Sequence, residues 1–120
     1  MSNRKRVLVV DDDTEVRTAL CETIRDFGYE VVPAVHGRDA LNAMEELPER
    51  PGLVLLDMIM PVMNGQEFCA ELIRRGEIDL VPVVVLAGLR GFQCQGARRY
   101  IRKPIDLDTL IQVVAEHCGS

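Results

Sequence analysis

The chain has no tryptophan, three phenylalanines and two tyrosines. It therefore offers no tryptophan fluorescence by which events in the protein could be followed. No apolar run approaches the ~20 residues that a membrane-spanning helix needs. No apolar core followed by a small-residue cleavage site marks a secretory leader at the N-terminus, so a cytoplasmic location is expected. The four cysteines, Cys21, Cys69, Cys94 and Cys118, form no C-x-x-C pair. Neither His36 nor His117 lies at zinc-ligand spacing from one of them. They read as reduced thiols. Net positive charge is also missing: the balance is −5. Direct nucleic-acid binding and attraction to an anionic membrane are not favoured. The basic run Arg4-Lys5-Arg6 is short and terminal, and reads as a solvated tail. Repeats, low-complexity tracts and linkers are absent too, so one domain over 1–120 is expected, with an ordered core over about 5–118.

What the chain does have is Leu53-Val54-Leu55-Leu56-Asp57. Four apolar residues in a row predict a strand buried on both faces, as parallel sheets require. It ends on a carboxylate, followed by a loop with Pro61 and an Asn64-Gly65 turn signal. Asp57 is expected to be exposed at the mouth of a crevice, at the sheet edge where open α/β folds bind ligands.

The same grammar recurs along the chain. Val7-Leu8-Val9-Val10 is a second continuous run and leads into Asp11-Asp12-Asp13. Thr14–Phe27 has helical spacing, with Val16, Leu20, Ile24 and Phe27 on one face. Asp13 or Thr14 can cap it and Gly28 can end it. Glu30–Val35 reads as a strand, and Pro33 suits it to a sheet edge. Arg38–Leu47 reads as a helix with Ala40, Leu41, Met44 and Leu47 inward. Gln66–Arg75 reads as another, capped by Asn64, with Phe68, Cys69, Leu72 and Ile73 apolar. Val81–Leu86 and Tyr100–Lys103 are the remaining strands. Asp106–Cys118 is the last helix, with Leu107, Leu110, Ile111 and Val114 facing in. Alternating strands and helices predict a parallel sheet covered on both faces, with right-handed crossovers.

Parallel strands bring their carboxyl ends to one edge, so Asp11, Asp12, Asp57 and Lys103 can meet. Carboxylates at close range repel unless a cation intervenes. Oxygen ligands alone suit a hard ion such as Mg²⁺. Lys103 can pair with a carboxylate or a phosphoryl group. An aspartate so flanked can attack phosphorus and form an acyl phosphate. Each element has an ordinary reading as well. The acidic run can compensate a helix dipole, Asp57 can cap a turn, and Lys103 can be solvated. All three at strand ends, in this order, favour the joint reading.

Those residues resemble the receiver domain of the bacterial two-component response-regulator family. The resemblance rests on Val9-Val10-Asp11-Asp12-Asp13, Leu56-Asp57-Met58-Ile59-Met60-Pro61 with Met63-Asn64-Gly65, and Ala97 with Tyr100 through Lys103-Pro104. It covers essentially the whole chain. It implies a flavodoxin-like (βα)5 three-layer sandwich with strand order 2-1-3-4-5. It implies that Asp57 is the phosphoacceptor and that Asp11, Asp12 and Asp57, with the carbonyl of Ile59, hold Mg²⁺. Lys103 would contact the phosphoryl group, and the Lys103–Pro104 bond can be cis. The partners it implies are a histidine kinase or phosphotransfer protein and a downstream protein or output domain. The chain would not be an enzyme acting on a separate substrate.

Two departures from the family pattern stand out. Ala87 occupies a switch position where the family usually carries Thr or Ser. Its missing hydroxyl forfeits a hydrogen bond to a charged group, worth roughly 1.5–3 kcal/mol. Secondly, only Gly88 to Gly96 separate Ala87 from Ala97, with glycines at 88, 91 and 96. A helix of ordinary length and its connections do not fit there. The helix between the fourth and fifth strands is expected to be missing or a single irregular turn, which alters the family's usual signalling face. Phe92 is expected to plug the gap. Tyr100, at the family's switching aromatic, is expected to be a half-buried strand tyrosine with its hydroxyl in water. A phosphorylation-independent interaction module is the main rival reading, supported by Ala87 and the short segment. An aspartyl phosphatase is weaker. Such an enzyme usually needs a second acid two residues after the nucleophile, where Ile59 stands.

Overall fold

The structure, a computed structural model, describes residues 5–58, 60–87 and 94–119. In chain order the described residues form β1 (Arg6–Val10), α1 (Thr14–Asp26), β2 (Glu30–Ala34), α2 (Gly37–Glu46), β3 (Leu53–Asp57), α3 (Gly65–Arg74), β4 (Val83–Ala87), β5 (Arg99–Arg102) and α4 (Leu107–Cys118). The five strands make one parallel sheet in the order β2-β1-β3-β4-β5. Among the described residues no helix lies between β4 and β5, as the shortened segment predicts. Residues 88–93, including Phe92, lie outside the described residues.

The continuous apolar runs become strands because both sheet faces are covered. Leu8, Val10, Val54, Leu56, Val83 and Val85 pack under α2 and α3 with Leu41, Phe68 and Leu72. Val7, Val9, Leu53, Leu55, Val84 and Leu86 pack on the opposite face with Ile24, Leu110 and Val114 of α1 and α4. In β3 every residue is buried. Burying one such side chain contributes about 1.5–3 kcal/mol, so β3 is a rigid base for the residue at its end.

Polar residues fix the helix starts. Asp13 caps α1, its side chain accepting from the Val16 N–H at 3.1 Å. Asn64 caps α3 in a reciprocal capping box with Glu67. At α2, Nδ1 of His36 accepts from the Asp39 N–H at 3.1 Å. That cap was not anticipated, since histidine is not a usual capping residue.

Several boundaries and faces differ from the sequence reading. α1 stops at Asp26, and Phe27 caps it with half its surface in water rather than in the core. β2 ends one residue early, and Val35 is exposed. β4 begins at Val83 and reaches Ala87. Pro82 precedes it, its carbonyl accepting from the Val54 N–H at 2.9 Å. β5 is shifted one residue back. Leu107 lies partly in water rather than inward, and the apolar Ile73 is likewise exposed. Each of these apolar residues sits in the last or first turn of its helix, where the chain leaves the sheet surface.

Candidate functional site

The strand order reverses between β1 and β3, because β1 leads outward to β2 and β3 leads the other way to β4. The crevice at such a switch point is where open α/β sheets take ligands. Asp11 follows β1 and Asp57 ends β3, one on each side of it. The backbone sets these positions. The Asp11 N–H donates to the Ala34 carbonyl at 3.1 Å. The Gly65 N–H donates to the Met58 carbonyl at 3.0 Å and closes the loop after Asp57. Gly65 has no room for a side chain, since a Cβ would meet the Asp57 carbonyl oxygen at 3.0 Å.

The three aspartates of the first run divide their work. Asp13 is spent on the helix cap. Asp12 is exposed at the site. Asp11 is buried; its Oδ1 accepts from the Asp13 N–H at 3.0 Å and its Oδ2 from Lys103 Nζ at 3.2 Å. Asp57 is also buried, at 9% exposure, which corrects the expectation of an exposed carboxylate. The reason is Lys103. Its ammonium donates to Asp57 Oδ1 at 3.1 Å and lies over the carboxylate.

Oxygens of Asp11, Asp12 and Asp57 lie within 4.8 Å of one another. Burial pushes the Asp57 carboxyl above the ordinary aspartate range. The neighbouring carboxylates of Asp11 and Asp12 add to this, and Lys103 opposes it. Burial by itself would lower the Lys103 ammonium. The negative charges of Asp11 and Asp57 outweigh it and hold the lysine above its usual value. Three close carboxylate oxygens form an all-oxygen donor set that fits a hard divalent ion, with the Lys103 ammonium beside it. The predicted set is therefore brought together for Asp11, Asp12, Asp57 and Lys103. Ile59 lies outside the described residues.

The switch positions behave less simply. Ala87 ends β4 beside Asp57's strand and carries no polar side-chain atom. Tyr100 is 43% exposed, yet its hydroxyl is not left to water. It donates to the Cys94 carbonyl at 2.7 Å and accepts from the Cys94 N–H. The hydroxyl thus pins the start of the approach to β5, and the expectation of a solvated hydroxyl is corrected. Arg17 was missed altogether. Its guanidinium donates to the Asp11 carbonyl at 2.7 Å and ties α1 to the acidic edge. Its only sequence signal was a position one helical turn into α1, facing back toward the acidic run. The Lys103–Pro104 peptide is cis.

This arrangement agrees with comparisons to known proteins. The family model for the response regulator receiver domain matches residues 7–115. The chain belongs to the response-regulator receiver family, the receiver domains of two-component systems. Protein PilH of Pseudomonas aeruginosa is 30% identical over 119 residues, covering 91% of this chain and 93% of PilH. A CheY-like receiver domain protein from Methanospirillum hungatei has a similar structure, with a TM-score of 0.84 and 26% identity over 95% of this chain and 94% of its own. TrrA from Thermotoga maritima, solved in complex with Mg²⁺–BeF, aligns with a TM-score of 0.79 and 28% identity over 92% and 96% of the two chains. The chain spans about half the length of several other curated relatives it matches. Among the described residues no helix is long and apolar enough to cross a membrane.

Proposed function

We propose that Asp57 accepts a phosphoryl group from a histidine kinase or phosphotransfer partner, with Mg²⁺ held by Asp11, Asp12 and Asp57. One observation carries this reading. A buried carboxylate on a rigid strand sits 3.1 Å from Lys103 Nζ, with two further carboxylates close by. Such a group is costly to bury and has no structural task that a neutral residue could not do. TrrA's complex with Mg²⁺–BeF adds support from a relative.

A carboxylate oxygen of Asp57 would attack the donor's phosphorus. The new O–P bond forms as the donor's N–P bond breaks, and the released imidazole takes a proton. Lys103, already paired to the same carboxylate, then has a phosphoryl oxygen to hold. Bound Mg²⁺ supplies charge neutralisation for the transferring oxygens. The chain is modified rather than turning over a separate substrate, so it is not an enzyme in the ordinary sense. Its setting is the cytoplasm, where kinase domains of such systems work. Its output passes to a downstream protein or domain through a face that, among the described residues, has no helix between β4 and β5.

Ala87 favours a second reading, a scaffold that binds partners without phosphorylation, since the strand end beside Asp57 has no hydroxyl to report the modified state. Intact mass after incubation with phosphoramidate and Mg²⁺ tests the first reading. The parent should gain one phosphoryl group and Asp57→Asn none. No gain on the parent, from this donor or from a cognate kinase, would favour the scaffold.

A further inference from the structure

β5 and the residues on either side of it carry four cations, Arg98, Arg99, Arg102 and Lys103. Three have partners. Arg98 donates to the Asp79 carbonyl at 3.1 Å. Arg99 lies 3.7 Å from Glu116. Lys103 pairs with Asp11 and Asp57. The guanidinium of Arg102 has no hydrogen bond or ion pair among the described residues, and the residue is exposed. In a chain of net charge −5, an arginine without a carboxylate partner beside an acidic site is notable.

Its position in the sheet is defined by register. Asp57 pairs with Leu86, Leu86 with Ile101, and Ala87 with Arg102. Arg102 is therefore two strands from Asp57 and one residue nearer the carboxyl edge. Two strand spacings put the Cα atoms about 10 Å apart. Lys103 spans the same two strands from the next residue and reaches Asp57 Oδ1 at 3.1 Å. Arginine has the longer side chain. Side chains alternate along a strand. Ile101 faces α1 and α4, so Arg102 leaves β5 on the opposite side, the side on which Ala87 packs. Asp57, two residues after Leu55, leaves β3 on the α1 and α4 side, so that Arg102 would reach it over the strand end rather than along one face. Among the described residues, the strand end between Arg102 and Asp57 offers only the methyl of Ala87. A branched or hydroxylated side chain there would fill that lane.

We propose that Arg102 reaches across Ala87 and binds the phosphoryl oxygens on Asp57, opposite Lys103. The proposal rests on Asp57 as phosphoacceptor. A dianionic phosphoryl group would recruit the guanidinium, which suits phosphate oxygens by its planar pair of donors. The missing hydroxyl at position 87 then marks a change of contact rather than the loss of one. The modified state would be reported by an arginine drawn in from the exposed edge of β5.

Beryllofluoride binding with Mg²⁺, followed by fluorine NMR, tests this. The proteins are the parent, Arg102→Gln, Arg102→Lys and Asp57→Asn, with Mg²⁺ affinity measured separately. The parent should show bound beryllofluoride and Asp57→Asn none. Arg102→Gln should need about tenfold more beryllium for half occupancy, the lower bound for losing a hydrogen bond to a charged group. Arg102→Lys should fall between them, and Mg²⁺ affinity should not weaken in either variant. With Ala87→Thr in place, the effect of Arg102→Gln should shrink below about threefold. Equal binding by the parent and a folded Arg102→Gln would overturn the proposal and leave the phosphoacceptor reading intact. Failure of the parent itself to bind beryllofluoride or to gain a phosphoryl group would overturn both.

Discussion

Replacing Asp57 with asparagine should make the metal-free protein more stable, although it removes an ion pair. Lys103 Nζ lies 3.1 Å from Asp57 Oδ1, an attraction of about 5 kcal/mol at an effective dielectric of about 20. Asp11 lies within 4.8 Å and is buried, and repels Asp57 by about 3 kcal/mol on the same basis. Asp12 is exposed to water and adds a smaller repulsion. These effects nearly cancel and leave the burial of the carboxylate, several kcal/mol for a fully buried ion. Asp57 sits at the sheet edge, so about 1–2 kcal/mol is a fair net cost. For a domain of this size that is a rise in Tm of roughly 3–8 °C for Asp57→Asn.

The pH dependence has a definite sign. The Asp57 carboxyl is held above its ordinary value in the fold. The neutral carboxyl is therefore accommodated at low pH, and stability is lost as pH rises from the unfolded value, about 3.9, through the raised folded value. Thermal melts in chelator should show parent and variant close together near the bottom of that window and separated above it. Mg²⁺ should narrow the gap by binding the parent more tightly. A ligand at 100 times its Kd stabilises by about 2.7 kcal/mol. A variant less stable than the parent in chelator at neutral pH would refute the reasoning, because the lysine pair would then outweigh repulsion and burial together.

Other perturbations follow from the same geometry. Val62 has φ of 65° and is 75% exposed, a conformation that penalises a β-branched residue. Val62→Gly should raise stability by about 0.5–1 kcal/mol in urea denaturation, and a loss would mean the side chain is held by packing. Gly65→Ala should lower stability by about 1–3 kcal/mol and slow labelling at Asp57, since its Cβ would press on the Asp57 carbonyl. All four cysteines are buried as free thiols, and burial pushes Cys118 up to about 11. Native protein should therefore react with a disulfide reagent mainly through unfolding, with rates that track urea concentration. Rapid reaction in buffer would place a thiol at the surface.

How far the sequence revealed this can be traced residue by residue. The runs at Val7–Val10 and Leu53–Leu56 disclosed buried parallel strands, because only a sheet covered on both sides uses four apolar residues in succession. Once the strands were parallel, Asp11, Asp57 and Lys103 had to share an edge, and contacts of 3.1–3.2 Å are the result. Burial of Asp57 was not legible, because it depends on where the Lys103 side chain lies, and Lys103 reaches it across the one strand, β4, that separates β3 from β5. The Tyr100 hydroxyl was misjudged for a related reason. Its partner is the backbone of Cys94, and backbone polar groups leave no mark on residue identity. Phe27 and Leu107 kept the helical period but sat where their helices leave the core. Periodicity gives direction around a helix and not distance from the sheet. That no helix stands between β4 and β5 among the described residues agrees with the length and glycine content of that segment, while the availability of Arg102 appears only when its neighbours' partners are known.

The central claim concerns one carboxylate. Borohydride reduces an acyl phosphate to the alcohol, so treatment of the protein after exposure to phosphoramidate and Mg²⁺, followed by peptide mapping, locates the acceptor. The account predicts homoserine at position 57 in the parent and none in Asp57→Asn. Homoserine at position 11 or 12, or a stable phosphoryl group elsewhere that resists borohydride, would contradict it.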